Sequence, residues 1–152
     1  MPNPEIGILL EMIDQAYNRR SWHGTNLRGS LRGVTAKEAA WRPHSGRHNI
    51  WELVLHAAYW KYAVHRRLTG ARMGSFALKG SNWITRPRAE ITEAQWKKDV
   101  RLLDDTHRAL RSAVASLKPG AISKNRFRLT GIAAHDLYHA GQIQLLKRRL
   151  IR

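Results

Sequence analysis

Two histidines near the end of the chain, His135 and His139, stand four residues apart. On a helix that spacing sets both imidazoles on one face, a turn apart. Ile132, Ile143, Leu146 and Leu150 fall on the same face at spacings of three, four or seven. The histidines therefore sit in the apolar stripe that faces a core, not on the wetted side. Imidazoles in a dry seam need hydrogen-bond partners or a metal ion. With Asp136 between them, the pair gives His-Asp-x-x-His, close to the His-Glu-x-x-His of zinc proteases. That reading fails on two counts. Asp is a methylene short of the Glu such enzymes use as general base, and their third ligand usually lies downstream. No His, Asp or Glu follows His139, so a third ligand must come from upstream.

His56 is the best upstream candidate. It lies three residues after Leu53 and four before Trp60, at one edge of an apolar helix stripe, and can point inward. A histidine pair on one helix and a third imidazole from a facing helix would make an open three-ligand site. Imidazole suits zinc, nickel, copper or iron. On the residues alone, a hydrogen-bonded histidine cluster is the competing reading. The other histidines carry less. His23 and His44 lie in expected loops, His48 precedes a helix cap, and His65 is on the far side of its helix from His56. His107 stands alone on an apolar face, as a satisfied core histidine does.

The elements that must position these residues are helices. Asn3 caps a first helix with Pro4 at its first position, and Ile6, Leu9, Leu10, Ile13, Ala16 and Tyr17 recur at helical period up to about Arg19. An irregular stretch follows, with a short helix expected around Asn26–Leu31. Thr35 and Glu38 form a capping box that opens a brief helical turn ended by Pro43. A second box, Asn49 with Glu52, opens a helix from Ile50 to about Thr69 that Gly70 ends. That helix is apolar on most sides, as a central or interface helix is. Residues 70–91 show no period, and a loop so long is usually functional or mobile; Trp83 and Phe76 make it the expected substrate-shaping segment. Thr92 and Gln95 start a third long helix with a further capping box, which Pro119-Gly120 closes. Thr130 caps the last. The expected fold is all-α: one domain over residues 1–152, a four-helix bundle with a long crossover connection.

Composition narrows the chemistry. The 152 residues contain no cysteine, which removes disulfides, a cysteine nucleophile and thiolate ligands, and fits a reducing, cytoplasmic setting. There is no basic segment before a long apolar run at the start, and no stretch approaches a membrane span, so neither a signal peptide nor a membrane role is expected. Lys and Arg number 27 against 11 Asp and Glu, a formal charge of +16. The arginines are scattered, without blocks of like charge and without a recognition motif, so nucleic acid is not the expected partner.

The segments IWELVLHAAYWKYAVHRRLTG and GIAAHDLYHAGQIQLLKR, with WHGTNLRGSLRGVTAKEAAWRP before them, resemble the DinB-like (YfiT-type) family of metal-binding four-helix bundles over most of the chain. The arginine-rich charge departs from that family's pattern. The resemblance implies a divalent ion, zinc or nickel foremost, held by His56, His135 and His139, and a homodimer. It also implies a metal-dependent enzyme of transferase or isomerase type acting on a small molecule, with an external low-molecular-weight thiol as cosubstrate. With no cysteine in the chain, any thiol must come from outside; Arg47, Arg86 or Arg88 could hold its carboxylates. The alternatives are a metal-dependent hydrolase, or a non-enzymatic metal- or nucleic-acid-binding stress protein.

Overall fold

The computed structural model describes residues 3–150, which form helices, turns and loops and contain no strand. Four long helices make the frame: α1 (Pro4–Tyr17), α4 (Ile50–Thr69), α5 (Glu93–Ala115) and α6 (Pro119–Leu150). Two short helices, α2 (Leu27–Ser30) and α3 (Ala36–Ala40), lie between the first two. The caps behave as their residue types dictate. Asn3, Asn26, Thr35, Asn49 and Thr92 each accept a backbone N–H of the first helical turn. Gly70 ends α4 in the left-handed region at φ 71°, where a side chain would be strained.

Helix directions follow from the side chains that meet. Trp51 and Trp96, both near the starts of their helices, pack edge to face at 5.1 Å, and the Trp51 indole donates to Asp99 at 2.7 Å. So α4 and α5 run parallel, and residues 70–92 form the crossover that returns the chain along the bundle. Asp14 of α1 meets Arg111 of α5, while Tyr17 meets Asp104, so α1 is antiparallel to both. Helix α6 also opposes α4, because Lys61 pairs with Asp136 while His56, a turn earlier, reaches His139's neighbourhood.

The core divides in two. One apolar cluster gathers Leu53, Val54, Trp51, Trp96, Leu103 and Ile143 with the short helices. The other gathers Leu9, Ile13, Val64, Leu110, Leu129 and Ile132. Between them lies a polar layer: the buried pair Lys61–Asp136, Tyr17 donating to Asp104, and His107 stacked on Tyr17 at 3.7 Å. His107 is thus a packed core histidine, but not a fully satisfied one, because its Nδ1 has no partner. Burial lowers its pKa to about 3, so it is neutral at physiological pH.

Three sequence expectations need correction. Pro119-Gly120 does not close α5, which ends at Ala115; Pro119 instead opens α6, using the fixed φ that suits a first helical position. Thr130 is therefore no cap. It lies inside α6 and its hydroxyl donates back to the Arg126 carbonyl at 3.0 Å. The box at Thr92 is only half made: Thr92 accepts the Gln95 N–H, but the Gln95 side chain turns to Asp99 at 2.9 Å.

Glu52 fixes the chain on both sides of α4. Its carboxylate takes Arg42 at 3.0 Å, His48 at 3.0 Å and the Thr85 hydroxyl at 2.6 Å, joining the segment before α4 to the crossover. Burial alone would raise its pKa, but the hydrogen bonds from Arg42, Thr85 and His48 outweigh that and bring it to about 2. The pKa is lower folded than unfolded, so this stabilisation is complete above the ordinary carboxylate range and disappears as pH falls from 4.5 to about 2. A shift of that size corresponds to roughly 3 kcal/mol at ~1.4 kcal/mol per pKa unit. Glu52→Gln should therefore lower stability at pH 7 by about 2–3 kcal/mol and flatten the acid limb of the urea-unfolding free energy as pH falls from 4.5 toward 2. An acid limb unchanged by the substitution would rule out this role.

Candidate metal centre

His56 comes from α4, His135 and His139 from α6, and the bundle turns their three Nε2 atoms toward one point. His135 Nε2 lies 3.0 Å from both His56 Nε2 and His139 Nε2. His56 and His139 are buried and His135 half-buried. Burial lowers the pKa of each, to about 4 for His56 and about 3 for His135. All three rings are thus neutral at pH 7, the form in which imidazole donates a lone pair.

The outer nitrogens settle which lone pairs face inward. His56 Nδ1 donates to the Asn82 carbonyl at 2.9 Å, and His139 Nδ1 donates to Gln142 Oε1 at 2.6 Å. With their protons held there, both Nε2 atoms present lone pairs to the centre. His135 can offer one Nε2 proton to one of them, which leaves the other lone pair facing it unpaired; its own Nδ1 is buried without a partner. Hydrogen bonding among the three rings therefore cannot satisfy the cluster. A divalent cation would take all three Nε2 lone pairs at once, leaving only the His135 Nδ1 without a partner: two nitrogens bound to one ion at ~2.1 Å stand about 3.0–3.4 Å apart. Among the described residues these three form the group of His, Asp and Glu side chains that fits a metal ion.

The crossover supplies the outer wall. Asn82 holds φ at 59°, a conformation uncommon outside glycine, and bonds twice: its carbonyl to His56 and its Oδ1 to the Trp60 indole at 2.9 Å. Its neighbour Trp83 stacks on His56 at 3.8 Å and, on its other face, on His48 at 3.6 Å. Trp83, in the loop expected to shape the site, thus lies against His56 and near His139. Phe76 instead packs on Tyr59 and Tyr62 at 5.5 and 5.2 Å. Asn82, His48 and Gln142 were missed as site residues. Gln142 carried a signal, standing three residues after His139, one turn on and so within reach of its ring. Asn82 and His48 carried none, since loop folding alone brings them there.

Two clefts flank the centre along the α4–α6 groove. One, of about 400 Å³, is bordered by His135, Trp60, Ile132 and Phe127, with Arg67 and Arg128 at its edge. The other, of about 710 Å³, lies beyond Gln142 and His48 and has Arg47 on its rim. Arg86, a candidate for holding a substrate carboxylate, is committed elsewhere: it forks onto Asp99 at 2.7 Å and reaches Glu90 at 2.8 Å. Arg88 falls in a 3-10 turn, Arg88–Glu90, and lines neither cleft.

The model of the DinB superfamily matches residues 19–143, the stretch that carries all three histidines and the residues around them. The chain belongs to the DinB superfamily. No curated protein and no solved structure gives a match. Membership agrees with the helical bundle, and the three-histidine group is of the kind that could hold a metal ion. No helix among the described residues is long and apolar enough to cross a membrane.

Proposed function

We propose that His56, His135 and His139 hold a divalent ion, zinc or nickel, and that this DinB protein is a cytoplasmic, metal-dependent transferase or isomerase using an external low-molecular-weight thiol. The observation that carries the metal reading is the convergence of three neutral Nε2 atoms, two of them fixed as lone-pair donors by Asn82 and Gln142. Bound there, such an ion keeps its full double charge beside three neutral ligands and supplies Lewis acidity, which favours thiolate over thiol and polarises a carbonyl.

The residues around the site bind, orient and exclude water. Trp83 and Trp60 wall the His56 side, and Asn82, next to Trp83 in the crossover, holds the Trp60 indole and the His56 ring. The cleft at His135 gives a small molecule a route to the centre. A hydrolase would need a general base, and Asp136, the carboxylate next to His135, is buried in its pair with Lys61. This favours a thiol cosubstrate over an activated water. A homodimer belongs to the same reading. Phe127 and Tyr138 lie on one stripe of α6 and are 90 and 66% exposed, an apolar edge suited to a second copy.

The test is turnover of a small electrophile, 1-chloro-2,4-dinitrobenzene or an activated ester, by metal-loaded protein with and without cysteine. Product formation that requires both metal and thiol is the expected result. Ester cleavage without thiol would replace this reading with the hydrolase, and no turnover of either would favour a non-enzymatic metal-binding role.

A further inference from the structure

The larger cleft joins two kinds of surface. Its floor is apolar, made by Leu53, Leu145 and Leu146, with Leu145 65% exposed. Its rim carries Arg47, Arg148 and Arg149, all exposed, and none is paired with a carboxylate among the described residues. Elsewhere the fold spends its few carboxylates on arginines: Asp104 on Arg28, Glu52 on Arg42, Asp99 on Arg86 and Asp14 on Arg111. Three guanidiniums without a carboxylate partner, on the rim of a cleft with an apolar floor, complement an anion with a hydrophobic body. The cleft also shares its inner wall with the histidine site. Gln142, which fixes the His139 ring, lines it, as does His48, stacked through Trp83 on His56.

We propose that this cleft binds an organic acid, a carboxylate or phosphate on an apolar chain or ring. The arginines take the acid group at the rim, and the apolar part lies toward Gln142 and the histidines. The substrate class deepens the enzymatic reading above and rests on it for its purpose, but the binding itself does not depend on a metal.

The probe is octanoate, titrated calorimetrically into the full-length protein, with inorganic phosphate and 1-octanol as controls for the anion and the chain alone. Octanoate should bind saturably, one per chain, and at least tenfold more tightly than either control. Arg47→Ser/Arg148→Ser/Arg149→Ser should weaken octanoate at least tenfold; these residues are exposed, and matching circular dichroism and melting would confirm that the variant is folded. Protein stripped of metal with EDTA should bind octanoate within about threefold of the zinc-loaded protein, so that a failed metal site and a failed acid site are read separately. Octanoate binding that is absent, matched by phosphate or octanol, or unchanged in the triple arginine variant would overturn the proposal.

Discussion

Lys61→Met should destabilise the protein by about 3–5 kcal/mol, the cost of leaving a buried charge without its partner. Lys61 and Asp136 are 0 and 1% exposed, among the least accessible side chains in the bundle. Lys61 lies over the Tyr17 ring at 4.8 Å, and Asp136 Oδ1 has no hydrogen-bond partner at all. Burial pushes the Asp136 carboxyl above its usual range, against the opposing pull of the Lys61 ammonium and its hydrogen bond. Removing Lys61 takes away that pull, and the carboxyl must then take up a proton or unfold its surroundings. Lys61→Met/Asp136→Leu, which removes both charges and roughly preserves volume, should recover most of the loss. Urea unfolding of the two variants measures the difference; equal stabilities for single and double variants would show that the pair is not coupled. Because Asp136 stands between the two α6 histidines, the single variant should also weaken metal uptake by disturbing their helix.

The second large effect concerns the ligands and their supports. His135→Ala should reduce zinc or nickel affinity by roughly a hundredfold or more, because two imidazoles remain and one coordination position is lost. Gln142→Leu should cost about 10–100-fold, the usual range for a lost outer hydrogen bond. The Gln142 amide does not reach the centre, so any loss arises from releasing the His139 ring and its tautomer. Competition titration against a chromophoric chelator separates the two. A Gln142→Leu protein as weak as His135→Ala would mean that the glutamine acts as a ligand, whereas wild-type affinity would mean that the His139 ring is held without it.

The helices were legible because their signals are local. Asn3-Pro4, the two boxes at Thr35 and Asn49, and Gly70 all state their roles in a few adjacent residues. The boundary between α5 and α6 was misread because proline and glycine serve equally to stop one helix and to start the next. The choice rests on residues 121–129, whose scattered charges hide Ile122 and Leu129, both buried. The three histidines that the bundle brings together are legible from spacing and from the lack of downstream donors. Their supports were harder. Asn82 acts through a backbone carbonyl, which any residue type possesses, and His48 through stacking on a tryptophan 35 positions away. The role of the +16 charge was not legible either. It depends on which arginines find carboxylates, and pairs such as Arg111 with Asp14 join residues 97 positions apart.

A metal bound by His56, His135 and His139 is tested most directly by elemental analysis of the purified protein after incubation with zinc and with nickel. Wild type should carry one equivalent of a divalent ion per chain, and the His56→Ala, His135→Ala and His139→Ala proteins, folded by circular dichroism, should each carry less than about a tenth of that after the same gel filtration. Wild type that retains no stoichiometric metal, or alanine variants that retain as much as wild type, would contradict it.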